Sequence, residues 1–283
     1  MSVILDGKIL AAKLKEDLFK EIAAIKSATN KTPKIVSIVV GHDPGSLSYI
    51  NSQKKTAESL GIEYQLDPRP INIGMGELLN AIKSWNAYDK VHGIIINKPL
   101  PASLDFSVLI NAIASSKDIE GMNLANLGML LMNKTRLWPC TPAAALSLLK
   151  SSGISLEGKT AVVLGRSEIV GKPMALLLLG ENMTVTVCHS KTADLQGHLR
   201  QADVVIAAIG KPLFVKGDWI KPGAVVIDVG INQVDGKIVG DVDFQSVKDK
   251  AGYISPVPGG VGPVTSVMLI KNVIEAFKQQ VRA

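Results

Sequence analysis

The chain has 283 residues, 47% of them hydrophobic, 20% charged and only 4% aromatic. These values suit one large or two medium globular domains with a sizeable core, exclude a disordered chain, and argue against an aromatic stacking platform for single-stranded nucleic acid. The net charge is +6, but the lysines are scattered; this points to small anionic ligands rather than nucleic acid or a membrane surface, with a merely solvated basic surface as the plain alternative.

Taken in chain order, MSVILDGKILAAKLKEDL lacks the apolar core and cleavage site of a signal peptide, and a cytoplasmic location is expected. It predicts an amphipathic helix capped by Asp6, with Leu10, Leu14, Leu18, Ile22 and Ile25 on one face. KIVSIVV (34–40) predicts a buried strand. SYINSQKKTAESLG (48–61) predicts a helix with Tyr49, Ala57 and Leu60 on one face and Gly61 just past its end. At 3.6 residues per turn, Ser52 and Gln53 share the face of Tyr49, while Lys54 and Lys55 point elsewhere.

GELLNAIKSWNAY predicts a helix and VHGIII a strand, whose carboxyl end carries Asn97, Lys98 and Pro99. Polar groups at that end of a parallel strand are where ligands of open α/β sheets sit. SSKDIEG offers Asp118 and Glu120, a pair that reads most simply as a cap or a solvated turn. WPCTPAAALSLLKSSG predicts a turn and a helix with Pro142 at its first position and Gly153 past its end, and a domain boundary is placed there. Cys140 reads as a small buried side chain. Cys140 and Cys188 form no metal-type cluster and imply a reducing compartment, and His92 and His189 show no partner in sequence.

From there TAVVLG, TVTVCH, DVVIAAIG and AVVIDVG predict buried strands, alternating with helices at KPMALLLLGEN and LQGHLRQA. Such alternation implies parallel sheets with right-handed crossovers. TAVVLGRSEIVGKPMALLLL keeps the logic of a dinucleotide-binding turn: Gly165 for the turn, Gly171 for close packing, Ser167 where a second glycine is common. A strand–glycine–helix turn without a ligand is the alternative. Arg166 suits a 2′-phosphate, and the next strand ends in His189, Ser190 and Lys191 with no carboxylate, which favours NADP over NAD. SPVPGGVGPVTSVML has three prolines and three glycines ahead of a helix; it is stiff at the prolines and bare at Gly259 and Gly260, so a flat ligand could lie on its backbone. GPVTSVMLIKNVIEAFKQQV predicts a final helix. No segment approaches the roughly 20 apolar residues of a membrane span.

Together VGHDPGSLSYI, HGIIINKPLP, KDIEG, WPCTP, VVLGRSEIVGKP, VCHSKT and SPVPGGVGPVT resemble, in order and over essentially the whole chain, the bifunctional methylenetetrahydrofolate dehydrogenase/cyclohydrolase family. The resemblance implies two α/β domains with a cleft between them: a folate-binding catalytic domain over 1–142, and a Rossmann-type NADP-binding domain over 143–262, with the last helix, 263–283, packing back towards the first. It implies a homodimer that binds tetrahydrofolate one-carbon derivatives, neither nucleic acid nor membrane, and no metal. Carried over by position, it implies a catalytic set of Tyr49, Gln53, Asn97 and Glu120. Substrate contacts would come from Ser46, Tyr49, Asn97, Lys98, Glu120, Pro258, Gly259, Gly260 and Val261, and cofactor contacts from Gly165, Arg166, Ser167, Ser190 and Ile231.

Three positions depart from the family's pattern. It expects lysine four residues after the tyrosine, where this chain has Gln53; glutamine where Asn97 stands, with Lys98 replacing an apolar residue; and aspartate where Glu120 stands. The last exchanges change a carboxamide and a carboxylate by one methylene, whereas the first removes a charge. The expectation is a dehydrogenase whose cyclohydrolase is impaired, unless Lys98 takes over the lysine's work. The alternatives are a catalytically silent paralogue that binds folate or NADP, and a dehydrogenase of the same fold acting on another substrate.

Overall fold

The computed structural model describes residues 2–42 and 44–281, and of residues 44–49 and 52 the backbone alone. In chain order the elements are β1 (Val3–Ile4), α1 (Gly7–Thr29), β2 (Lys34–Val40), α2 (Pro44–Ser59), β3 (Glu63–Arg69), α3 (Met75–Ala87), β4 (Gly93–Ile96), α4 (Phe106–Ala112) and α5 (Leu124–Leu131). They continue with α6 (Cys140–Lys150), β5 (Thr160–Leu164), α7 (Gly171–Gly180), β6 (Thr184–Cys188), α8 (Leu195–Gln201), β7 (Val204–Ala207), β8 (Val225–Asp228), β9 (Asn232–Val234), β10 (Lys237–Val239), α9 (Phe244–Val247), β11 (Tyr253–Ile254) and α10 (Val261–Val281). Two compact units divide the chain. One joins residues up to Lys13 to Pro139–Met268; the other joins Leu14–Trp138 to the chain from Leu269 onward. No helix among the described residues is long and apolar enough to cross a membrane.

The unit of Leu14–Trp138 holds a three-stranded parallel sheet in the order β3–β2–β4. Its central strand β2 is apolar almost throughout, as a strand covered on both faces must be, and Ile35, Val36 and Ile38 are fully buried. On one face Leu78 and Ile82 of α3 and Leu109 and Ile110 of α4 pack against Val36, Ile38, Ile94 and Ile96. β3 has no apolar run, which is why the sequence reading missed it. It is an edge strand, where Pro68, paired with Val39, costs no ladder bond on the open side. The predicted face of α1 is buried at Leu18 and Ile22, while Leu10, Leu14 and Ile25 are half-buried. Asp6 caps that helix, its Oδ1 accepting from Lys8 N at 2.7 Å.

The other unit is built on a six-stranded sheet in the order β1–β11–β8–β7–β5–β6, every pairing parallel. From β5 the chain goes outward to β6, then returns across β5 to β7. The connections therefore diverge at the carboxyl ends of β5 and β7, the switch point of a doubly wound, Rossmann-type sheet. The two-residue strands β1 and β11 and the β9–β10 hairpin are too short to leave a pattern in sequence. α6 starts at Cys140 with Pro139 as its cap residue, so Pro142 is its third residue; like the first, it needs no N–H acceptor there. Cys140 is only half-buried, and the fully buried cysteine is Cys188.

His92 is a core histidine. It is 5% exposed, its Nδ1 accepts from Lys34 N at 3.1 Å, and its ring meets Phe277 edge-on at 4.6 Å between centroids. Burial first, then the charges of Lys117 and Lys31, push its pKa down to about 4. The unfolded chain therefore takes up a proton between about pH 6.5 and pH 4 that the folded chain refuses. This group's stabilisation is complete above about pH 6.5 and lost as the pH falls, by up to about 3 kcal/mol. Urea unfolding of the wild type and of His92→Asn, whose side-chain oxygen can still accept from Lys34 N, should show a flatter acid branch for the variant. Equal slopes would assign the acid loss to other groups.

Candidate active site

The sequence-predicted residues of the first unit lie on α2, at the end of β4 and in the loop before α5. Gln53 is 6% exposed, on the buried face of α2 with Ile50, Ala57 and Leu60. Its Oε1 accepts from the hydroxyl of Tyr64, at the start of β3, at 3.1 Å. Lys54 instead pairs with Glu58 one turn on, at 3.8 Å, and Lys55 is exposed. The side chains of Ser46 and Tyr49 lie outside the described residues, although both positions fall on α2.

Asn97 follows β4. Its Nδ2 donates to Ser37 Oγ at 2.7 Å and to the Ile38 carbonyl at 2.9 Å, which fixes the amide against the central strand. Lys98 is exposed, with its Nζ 3.7 Å from the centre of the Phe106 ring, a cation–π contact. Asp118, read in sequence as a cap or a solvated turn, is fully buried; its backbone bridges to Ile94 of β4. Its carboxylate accepts from Gly121 N, Asn123 N and Asn126 Nδ2 at 3.1, 2.7 and 2.8 Å. Asn272 of α10 holds the same loop, donating to the carbonyls of Ile119 and Trp138 at 2.8 and 2.7 Å. On this loop Glu120 presents a carboxyl oxygen, Oε2, that is buried and has no hydrogen-bond partner among the described residues. Burial first, then the charge of Asp118, push its pKa up to about 7 against the pull of Lys98.

The second unit carries the glycine turn. Gly165 has φ +123°, and a Cβ there would stand 2.1 Å from the carbonyl oxygen of Ala208, at the end of β7. A Cβ on Gly171 would stand 2.2 Å from Gly165 O. Both glycines are therefore required by backbone contact. Ser167 replaces a second glycine because its hydroxyl accepts from Val170 N and Gly171 N at 3.1 and 3.3 Å and so opens α7. Arg166 is exposed on this turn. Ser190 is exposed past the end of β6, the neighbour of β5, and His189, unpartnered in sequence, accepts from Lys191 N at 3.1 Å. Ile231 is 72% exposed past β8. The residues fit a dinucleotide: a glycine turn opening a helix, the Arg166 guanidinium on it, and no carboxylate at the end of β6. Among the described residues no group of three or more His, Cys, Asp or Glu could hold a metal ion.

Pro258, Gly259 and Gly260 lie between β11 and α10, and Val261 is the first residue of α10, where the sequence suggested a loop. Gly259 has φ +108°, and Gly260 packs onto the carbonyl of Pro256. Sequence reasoning missed three supports. Tyr64 anchors Gln53. Asp228 and Asp241 tie down the loops past β7 and β8. Gly7, whose amide donates to Gly259 O at 2.9 Å, fixes the glycine pair. A glycine opening a helix, against propensity, was the available signal for the last.

A Cβ on Gly7 would stand 1.7 Å from Gly260 O, a backbone atom that cannot step aside alone. Gly7→Ala should cost about 1–3 kcal/mol and displace residues 258–260, lowering activity along with Tm. Gly262→Ala, where a methyl meets nothing within 4 Å, is the control and should leave both unchanged. Full activity of Gly7→Ala at normal Tm would contradict the packing described.

Comparison with known proteins agrees with this geometry. Residues 5–120 match the tetrahydrofolate dehydrogenase/cyclohydrolase catalytic domain, and residues 139–281 match the NAD(P)-binding domain of the same family. The bifunctional protein FolD of Bacillus pumilus is 46% identical over 279 residues, 98% of each chain. The crystal structure of the bifunctional FolD methylenetetrahydrofolate dehydrogenase/cyclohydrolase of Campylobacter jejuni superposes with a TM-score of 0.95 at 43% identity, over 99% of each chain. That of the Trypanosoma brucei enzyme, complexed with NADP cofactor and inhibitor, superposes with a TM-score of 0.93 at 37% identity, over 100% of this chain and 99% of that one. The chain belongs to the tetrahydrofolate dehydrogenase/cyclohydrolase family and is an enzyme with dehydrogenase activity, built from that family's catalytic domain and its NAD(P)-binding domain.

Proposed function

We propose that this protein oxidises 5,10-methylenetetrahydrofolate to 5,10-methenyltetrahydrofolate with NADP, and that hydrolysis of the methenyl product to 10-formyltetrahydrofolate is impaired. The observation that carries the second half is Gln53, buried on α2 with its oxygen occupied by Tyr64. Loss of a hydride from the carbon between two nitrogens leaves a cation delocalised over both; NADP, when bound by the glycine turn and Arg166, would supply the hydride acceptor. The chain has only to hold the two partners close and aligned, and no side chain need exchange a proton. Hydrolysis is different. Water must lose a proton as it adds to the cation, and a nitrogen must be released. A positioned acid–base group contributes typically about 10²–10⁴ in rate to such a step, and a carboxamide does not titrate.

The remaining residues support binding. Glu120 offers a buried, unpaired oxygen as an acceptor for ring N–H donors of the pterin. Tyr49 would stack on that ring, with Ser46, Asn97 and Lys98 as further substrate contacts on the same unit; Pro258–Val261 are substrate contacts by the family resemblance alone. Arg166 directly after Gly165, and Ser190 past the neighbouring strand, suit the 2′-phosphate of NADP, with Ser167 and Ile231 completing the contacts. The protein is read as a cytoplasmic homodimer with no nucleic-acid or membrane partner.

Two measurements test this. Arg166→Ala should weaken NADP binding by roughly 1.5–3 kcal/mol, the range for a hydrogen bond to a charged group, and leave NAD nearly unchanged; equal loss for both cofactors would sink the 2′-phosphate assignment. In the second, wild type supplied with methylenetetrahydrofolate and NADP should release the methenyl form faster than it hydrolyses it. Gln53→Lys should raise hydrolysis by up to about 10²-fold. Enzymatic hydrolysis in the wild type that disappears in Lys98→Ala would hand the proton work to Lys98 and overturn the reading. Absence of NADP reduction with methylenetetrahydrofolate in both proteins would overturn the substrate assignment and point to a different substrate.

A further inference from the structure

We propose that Asp241 and Asp228 are positioning residues for the nicotinamide cofactor, holding the loops past β7 and β8 in their binding conformation. The proposal rests on reading the carboxyl edge of the six-stranded sheet as the cofactor site. Asp241 is fully buried. One oxygen of its carboxylate accepts from Ile209 N at 2.6 Å and Gly210 N at 3.0 Å; the other accepts from Lys211 N and Asn232 Nδ2, both at 2.9 Å. It thus gathers three successive amides of the loop that leaves β7 at the switch point. Asp228, the last residue of β8 and 3% exposed, supports it. Its carboxylate accepts from Gly230 N, Asp241 N and Val242 N at 2.9, 3.0 and 2.9 Å, and its own N–H donates to Ser255 Oγ at 2.8 Å. A continuous chain therefore runs from Ser255, at the head of the proline–glycine segment, through Asp228 and Asp241 to residues 209–211.

Two features point past simple packing. No lysine or arginine forms an ion pair with either carboxylate among the described residues, so two like charges are buried side by side on amide dipoles alone. Each carboxylate closes several N–H bonds at once, which an apolar side chain of the same volume would leave unmade. The arrangement also excludes side chains from the loops it holds. A Cβ on Gly230 would stand 2.4 Å from Asp241 Cγ, and one on Gly240 would stand 1.9 Å from Asp228 Oδ2. The carboxylates therefore fix both ends of the backbone between Gly230 and Gly240, the first of them next to exposed Ile231.

The test is Asp241→Asn, which keeps size and shape but turns an NH₂ towards amides that need an acceptor. Tm is recorded as a folding control, NADP binding is titrated calorimetrically, and steady-state constants and amide exchange at 209–211 are measured. We expect NADP affinity to fall about tenfold or more, with kcat at saturating NADP and KM for methylenetetrahydrofolate within about twofold, and faster exchange at 209–211. Asn232→Ala keeps both carboxylates, removes one donor, and covers the case in which Asp241→Asn does not fold; it should weaken NADP about threefold with kcat kept. A folded variant with lowered Tm and wild-type NADP affinity would show a purely structural pair and overturn the proposal alone. Failure of the wild type to bind NADP in the same titration would overturn the cofactor reading and the proposal with it.

Discussion

In a parallel sheet every strand delivers its chain to the same edge, and the loops there must satisfy backbone N–H groups without a neighbouring strand. This protein meets that constraint with buried aspartates. Asp118 takes the amides of Gly121 and Asn123 past β4; Asp228 and Asp241 take six amides past β7, β8 and β10. An acceptor-only side chain with two oxygens can close several such bonds at once. These bonds tie the loops to the strands that launch them, next to Glu120 in one unit and Ile231 in the other. Burial is the cost of this device, and it appears as raised carboxyl pKa values at Asp118 and Asp228.

The same economy governs the glycines. Gly165 against Ala208, Gly171 against Gly165 and Gly7 against Gly260 are contacts of backbone on backbone, in which a single methyl group would collide with a carbonyl oxygen. Chain approaches of this kind bury all four of these glycines in close backbone packing.

On the proposed function, Gln53 is the side chain that would separate the two reactions. An ammonium and a carboxamide occupy similar space, and both can donate a hydrogen bond to a bound ring. Only the ammonium can exchange a proton or bring a charge. With Tyr64 on its oxygen, the amide is a fixed strut on α2. The lysines nearest in sequence lie on other faces of the helix, one of them already paired with Glu58.

Much of this was legible in sequence because it depends on local chemistry and period. The apolar runs of β2, β5, β7 and β8, the glycine turn around Gly165, the proline–glycine segment and the identity of residue 53 are all visible in a one-dimensional string, since strands buried on both faces and backbone turns restrict residue type directly. What the sequence could not show depends on partners distant along the chain. β3 looks polar because an edge strand needs little apolar surface. Asp118 and Glu120 look like a solvated turn, and burial separates them: one becomes an acceptor for several amides, and the other has its pKa pushed up to about 7 and one buried oxygen with no partner among the described residues. Gly7 and Gly260 lie at opposite ends of the string yet share a contact. By itself the sequence determined the fold class, the family and which side chains are available for chemistry, because periodicity and motif are properties of neighbours in the chain. Only the tertiary structure decided which carboxylates hold backbone and which keep an oxygen without a partner among the described residues, because desolvation and hydrogen-bond saturation are set by whatever folds against a residue.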